Sequence, residues 1–334
     1  MFAPDRPNPL PPGRRGGNRS GMLALVTGAA GFIGSSLSQR LLELGWRVRG
    51  VDCFSDYYPR RLKEQNLSAL LGREGFELIE AGLEKASLEP LLEGVEAVFH
   101  LAAQAGVRAS WGEEFRIYTD ANILATQRLL EAAKDRPLKR FVFASSSSVY
   151  GDSLSLPTGE EAGFAPVSPY GVSKLAGDQL CRLYHRNFDV PTVALRYFTV
   201  YGPRQRPDMA FHRFLKALLQ DQAIRIFGDG SQSRDFTFVG DIVEGTLAAL
   251  EGRPGQAYNL GGNRPVELKE VVGLMESLTG RKARLELLPT ARGDVRHTSA
   301  DITKAGRDLG YRPRTGLEEG LERELAWLKK AFGL

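Results

Sequence analysis

The run Thr27-Gly-Ala-Ala-Gly-Phe-Ile-Gly34, with glycines at 28, 31 and 34, constrains this chain more than any other stretch. It follows a short apolar segment, Leu23-Ala-Leu-Val26, and leads into a helical pattern that ends near Gly45. A glycine triplet alone is weak, because glycines also serve ordinary turns and close helix packing. Between a strand and a helix, however, this spacing lets the backbone turn tightly, approach a pyrophosphate and offer it the amides of a helix N-terminus. The next strand pattern, Arg47–Val51, ends at Asp52. A carboxylate there accepts hydrogen bonds from an adenosine ribose and repels a 2′-phosphate, which favours NAD over NADP.

Strand and helix patterns then alternate. Phe76–Glu80, Ala97–Leu101, Phe141–Ala144 and Thr192–Leu195 read as strands, and Arg61–Leu71, Phe115–Ala133 and Pro169–Asn187 as helices. That rhythm predicts an α/β fold, a Rossmann-like doubly wound parallel sheet whose ligands bind beyond the carboxyl ends of the strands. From about Thr199 prolines at 203, 207, 254, 265 and 289 break the pattern into loops and short elements. We expect residues 22–198 to form the dinucleotide-binding domain and 199–334 a smaller C-terminal α/β substrate domain, with the segment near 236–252 a candidate to return to the first. Residues 1–21, rich in Pro and Gly, read as a disordered tail. Met22 directly precedes the first strand, so that tail is expected to be an upstream extension of the start site or a dispensable segment.

The tail also accounts for most of the basic balance. Arg6, Arg14, Arg15 and Arg19 against Asp5 leave it at +3 of the formal +4, so the body is near neutral and offers no basic stripe for nucleic acid. No run of about 18 apolar residues exists to span a membrane, and no apolar signal core opens the chain. We expect a cytoplasmic protein with no membrane partner. Cys53 and Cys181 lie far apart and read as free thiols, and four scattered histidines give no metal-ligand spacing.

Tyr170 and Lys174 stand four residues apart in Tyr170-Gly-Val-Ser-Lys174. On a helix they share a face, so the ammonium can sit beside the phenol and favour its ionised form. Ser168 can cap that helix and Pro169 suits its first position, which puts Tyr170 in the first turn, where the helix dipole favours a negative oxygen. Gly177 and Cys181 fall on the same side, while Val172, Leu175, Ala176, Leu180 and Leu183 form a separate apolar stripe expected to face other helices or the sheet. An isolated pair of this kind is more often an ordinary amphipathic helix. Its company decides the matter: His100–Gln104 and Ser145–Tyr150 both lie just past strand ends, where hydroxyls and amides meet a ligand.

Taken together, Thr27–Gly34, Asp52, His100–Ala103, Asn122, Ser145–Gly151, Tyr170–Lys174, Arg196–Phe198, Tyr201–Pro203, Arg234–Phe236 and Arg292–Asp294 resemble the extended short-chain dehydrogenase/reductase family, and within it the nucleotide-sugar epimerases and dehydratases. The likeness covers nearly everything after Met22, and the order and spacing of its motifs are far more specific than any one of them. It implies a catalytic set of Ser146, Tyr170 and Lys174, with Tyr170 taking the proton of a sugar 4-hydroxyl while NAD oxidises carbon 4 to a ketone. It implies cofactor contacts from Gly28, Gly31, Phe32, Ile33, Gly34, Asp52, Leu101, Ala102, Ala103, Asn122, Tyr197, Tyr170 and Lys174, and a homodimer. Where members of the family have Gly-Asp-Leu after the third strand, with the Asp near the adenine, this chain has Ala81-Gly-Leu83. That contact is therefore absent or supplied from elsewhere.

The residues after Ser146 separate the reactions open to a 4-ketone. Dehydratases of the family carry Asp and Glu there, and uronate decarboxylases usually a Glu, whereas this chain has Ser147 and Ser148. Hydroxyls of ordinary pKa are poor acid–base groups for elimination. The remaining route is return of the hydride to the opposite face, an epimerisation. Arg234 and Arg292 are expected on the diphosphate and Asp294 on the nucleotide ribose. The strings Arg196–Phe211 and Gln104–Arg108 look most like UDP-glucuronate 4-epimerases. A 4-keto uronate is a β-keto acid that loses carbon dioxide unless its carboxylate is held out of alignment. Ser147, Ser148, Thr199 and Arg206 are the expected substrate contacts that would hold it, and Arg108 is expected on the substrate as well. The rivals are a UDP-glucose/UDP-galactose 4-epimerase, a dehydratase or decarboxylase, and an NAD-sensing regulator without turnover.

Overall fold

The computed structural model describes residues 21–153 and 155–333, so the expectation for the tail lies outside the described residues except at Gly21. The elements run β1 (Leu23–Thr27), α1 (Phe32–Glu43), β2 (Arg47–Asp52), α2 (Arg60–Leu67), β3 (Phe76–Glu80), β4 (Ala97–His100), α3 (Phe115–Tyr118), α4 (Ala125–Ala133), β5 (Arg140–Ser146), α5 (Pro169–Phe188) and β6 (Thr192–Tyr197). They continue as β7 (Thr199–Tyr201), α6 (Ala210–Leu219), β8 (Ile224–Phe227), β9 (Ser233–Phe238), α7 (Val239–Ala248), β10 (Gln256–Leu260), β11 (Pro265–Glu267), α8 (Leu268–Thr279), β12 (Leu285–Leu288), α9 (Thr303–Leu309) and α10 (Leu317–Phe332).

Seven strands form the main sheet in the order β10-β6-β5-β4-β1-β2-β3, and all neighbours are parallel. The order reverses at β1, which is where a doubly wound sheet opens its ligand crevice. Apolar runs such as Ala24–Val26 and Phe141–Phe143 are buried on both faces, as a parallel sheet covered by helices requires. The chain returns to this sheet late: α7 packs on α1 through the Arg40–Glu244 pair (2.8 Å), and β10 forms the edge beside β6. Two small sheets, β11-β9-β7 and β12-β8, are separate from the large one, and β7 begins two residues after β6 ends.

Two sequence expectations need correction. The helix expected over Phe115–Ala133 is interrupted by a π-helical segment, Thr119–Leu124, between α3 and α4. In α5, the face turned to the sheet is the one bearing Ser173, Lys174, Gly177 and Cys181, while Val172 and Leu183 of the apolar stripe are about half exposed. Small residues win that face because β5 comes so close: a Cβ on Gly177 would collide with the Phe143 ring. Leu124, Val172, Leu183 and Phe188 are left on the outer surface.

Candidate active site

The glycine turn sits at the crevice with little room to spare. Gly28 has φ 72° and an added Cβ there would lie 2.9 Å from the Ala102 amide, while one on Gly34 would collide with the Gly28 carbonyl. Only a bare backbone fits, and it leaves the N-terminus of α1 open to a ligand. Asp52 accepts from the Ala30 amide (3.1 Å) and the Phe54 amide (2.8 Å), which locks the carboxylate beside the turn. At the end of β4, Thr27 Oγ1 accepts from the Ala102 amide (3.1 Å) and bonds the His100 ring (2.7 Å). His100 is fully buried between Thr27 and Thr126; burial, with Lys174 nearby, pushes its pKa down to about 3, so it is a neutral strut.

A cavity of about 410 Å³ connects these parts. Its walls carry Gly28, Gly31, Phe32, Ile33, Gly34 and Asp52 at one end, Leu101, Ala102 and Ala103 in the middle, and Tyr170, Lys174, Tyr197 and Arg206 at the other. The residues fit a dinucleotide: a bare-backbone turn at a helix N-terminus, a ribose-reading acid and a floor of small side chains. Asn122 departs from expectation. It is 2% exposed and its amide is spent on the Gln104 backbone (2.7 and 2.9 Å) and on Ser173 (2.8 Å), so it ties the loop after β4 to α5 rather than opening to the cavity. Lys63, which pattern reading missed, lines the cavity too; only 4% exposed, its ammonium binds the Ser55 carbonyl (2.8 Å) and hydroxyl (3.3 Å).

Ser168 caps α5 by accepting from the Gly171 amide (3.1 Å), and Pro169 takes the first position, so Tyr170 stands in the first turn as expected. The expected electrostatics are different. Burial pushes the Tyr170 phenol up, and what pulls it back is the nearby Ser146 hydroxyl and the charge of Arg206. Lys174 is 4% exposed, lies 4.8 Å from the Phe143 ring, and is itself lowered to about 8 by burial despite the nearby Asp178 carboxylate. Four-residue spacing supplied the shared face, but a lysine sunk against an aromatic ring contributes little field to the phenol.

Arg206 is the cation that reaches Tyr170. Desolvation works against its charge, but Asp208 holds its pKa up through two 3.0 Å bonds. Tyr57 donates to the same carboxylate (3.1 Å), joining the loop after β2 to the loop after β7. Ser146 caps the short turn Ser147–Val149, accepting from the Ser148 amide and donating to the Ser148 hydroxyl, both at 3.1 Å. Its register partner is Tyr197, so Ser147, Ser148 and Thr199 all leave adjoining strands at one sheet edge, next to Tyr170. Ser145 turns inward to the Asp178 carboxylate (2.9 Å).

Farther out, Arg108 binds Asp294 (2.6 Å) and lies 3.9 Å from the Phe227 ring. Arg234 donates to the Val295 and Arg296 carbonyls (2.5 and 3.0 Å) and is electrostatically close to both Arg108 and Asp294. Arg213, absent from the sequence expectations, joins this basic cluster from α6. Arg292 is exposed on the neighbouring loop. Gly293 packs against Ser168, so that loop abuts the cap of α5. Among the described residues no cluster of potential metal ligands exists, and both cysteines are free.

Residues 24–261 match the NAD dependent epimerase/dehydratase family. The chain is 49% identical to an uncharacterized UDP-glucose epimerase of Bacillus subtilis, over 93% of this chain and 99% of the relative. It is 41% identical to a UDP-glucuronate 4-epimerase of Thermodesulfobacterium geofontis, over 93% of this chain and 97% of that one. The crystal structure of UDP-glucuronic acid 4-epimerase from Bacillus cereus with UDP-glucuronic acid and NAD superposes with a TM-score of 0.91 at 45% identity, covering 93% of this chain and all of that one.

Proposed function

The chain belongs to the NAD-dependent epimerase/dehydratase family, and from that premise we propose that it inverts carbon 4 of a UDP-sugar, with UDP-glucuronate and UDP-galacturonate as its pair. The observation that carries the reading is a partly buried tyrosine, in the first turn of α5 and close to Ser146, at the end of a cavity whose other end is the glycine turn. Residues 22–198 together with α7 and β10 hold the cofactor, and the small sheets and their helices hold the nucleotide sugar. NAD bound there would supply the hydride acceptor and donor for carbon 4, with Gly28, Gly31, Gly34 and Asp52 holding it.

The turn amides and the N-terminus of α1 bind the pyrophosphate, and Asp52 the adenosine ribose. Tyr170 removes the proton of the 4-hydroxyl at its phenolic oxygen and gives it back after the sugar has turned over; Ser146 holds that 4-oxygen in reach of both. Lys174 binds the nicotinamide ribose, where a second polar partner offsets its burial. Arg108, Arg213, Arg234 and Arg292 surround the diphosphate, with Asp294 exchanging Arg108 for the uridine ribose. Neither Ser147 nor Ser148 can act as the carboxyl acid or base that elimination needs. They serve instead, with Thr199 and Arg206, to pin the uronate carboxylate so that the β-keto acid keeps its carbon dioxide.

A second reading, UDP-glucose and UDP-galactose, is favoured by the Bacillus subtilis relative and needs the same machinery without the carboxylate clamp. The outward apolar side chains Leu124, Val172, Leu183 and Phe188 support a homodimer across α4 and α5. Two unpaired thiols agree with a cytoplasmic location, and no described helix is long and apolar enough to cross a membrane. Incubating the protein with UDP-glucuronate, UDP-glucose and UDP-N-acetylglucosamine separately, and following the anomeric NMR signals, tests the choice. Conversion of UDP-glucuronate supports the reading; conversion of UDP-glucose alone replaces it with the second.

A further inference from the structure

The end of the cavity away from Tyr170 contains an acid that no motif predicts. Strand β3 is the outermost neighbour of β2, and the turn that follows it, carrying Ala81, Leu83 and Glu84, lines the same cavity as Asp52. With the ribose against the acid that ends β2, the base attached to that ribose lies over the end of the next strand, which here is β3. Position 82 in that turn is glycine. The space its side chain would fill is taken by the Glu84 carboxylate: a Cβ on Gly82 would lie 2.6 and 2.7 Å from the two carboxylate oxygens.

Glu84 is not on a loose loop. The amides of Lys85 and Ala86 bond the Gly82 carbonyl (3.1 and 2.9 Å), and Arg128 of α4 donates to the carbonyls of Leu83 (2.6 Å) and Ala86 (2.9 Å). Leu83 itself is 4% exposed and packs into the core below, so Glu84 is the side chain of this turn that brings hydrogen-bonding oxygens to the cavity. Among the described residues, neither a hydrogen bond nor an ion pair engages its carboxylate, although Lys63 and Lys85 share the cavity wall. An acceptor-only group, backed by a fixed turn and facing the base, selects a donor on that base.

We infer that Glu84 reads the purine of the dinucleotide, accepting a hydrogen bond from its exocyclic 6-amino group in place of the side chain that Gly82 lacks. The inference rests on the cofactor reading above and makes the chain selective for adenine. A carboxylate set against the 6-position is repelled by the carbonyl oxygen that hypoxanthine carries there. A hydrogen bond to a charged acceptor discriminates by at least about tenfold.

The test equilibrates the protein with an excess equimolar mixture of NAD and nicotinamide hypoxanthine dinucleotide, removes free nucleotide, denatures the protein and measures the released ratio by chromatography. The wild type is expected to hold NAD at least about tenfold over the analogue. Glu84→Gln keeps the shape but can accept from the amine or donate to the carbonyl, so its ratio should fall to within about threefold. Glu84→Ala combined with Gly82→Asp moves the carboxylate back to position 82 and should restore the preference. A wild-type ratio near one, or a Glu84→Gln ratio equal to the wild type, overturns the inference while leaving the cofactor reading intact. A wild type that retains neither dinucleotide overturns both.

Discussion

Replacing Lys174 by methionine should stabilise the protein and disable it at once. The ammonium is 4% exposed against the Phe143 ring, and burial lowers its pKa from 10.5 to about 8. Each unit of such a shift corresponds to about 1.36 kcal/mol, so keeping the charged form folded costs about 3 kcal/mol. The sign follows from proton counting: between pH 8 and 10.5 the unfolded chain holds the proton and the folded one has lost it, so stability rises with pH across that window. Below pH 8 the full penalty is present; above 10.5 it is gone. Methionine fills nearly the same volume with no charge, so Lys174→Met should gain about 3 kcal/mol at pH 7, and the gain should shrink toward zero as the pH approaches 10. Urea unfolding of both proteins, freed of nucleotide, at pH 7, 8, 9 and 10 measures this, alongside a turnover assay that should show a loss of about a hundredfold or more. A stability difference that stays constant with pH would refute the reasoning, because the penalty would not then be electrostatic.

Arg206→Met removes the cation that holds the Tyr170 phenol down, so the acid limb of kcat should move to higher pH in a pH–rate series, and an unmoved limb would count against that role. With UDP-glucuronate, Ser148→Ala with Thr199→Val should raise the share of decarboxylated pentose product at least severalfold by NMR; an unchanged ratio of epimer to pentose removes the clamp. Leu183→Glu places a charge in the exposed apolar face of α5; if that face holds a homodimer, analytical ultracentrifugation should report dimer for the wild type and monomer for the variant.

Six of the large sheet's seven strands were legible because each is written in a contiguous stretch, from Leu23–Thr27 through the glycine turn to Thr192–Tyr197; the seventh, β10, joins it only after a long excursion and was not expected. The small sheets were not. β8 pairs with β12 across some sixty residues of chain, and neither strand has a period that stands out alone. The cap of α5 and its tyrosine were readable for the same local reason. What surrounds them was readable only as a resemblance or not at all. Tyr57, Arg206 and Asp208 meet from loops far apart in sequence, and Lys63 sits in Arg60–Leu67, where it reads like its solvated neighbours. Spacing placed Tyr170 and Lys174 on one face correctly but could not show that burial would weaken the lysine. Glycine at 82 read as a missing contact; only the folded turn reveals Glu84 lying across it.

The central claim is that carbon 4 is oxidised and then reduced by its own hydride, with Tyr170 moving only the hydroxyl proton. UDP-glucuronate deuterated at carbon 4, incubated with the enzyme in ordinary water, tests it by mass spectrometry of the product. UDP-galacturonate that keeps the deuterium at carbon 4 is expected. Product carrying solvent hydrogen at that position would contradict it.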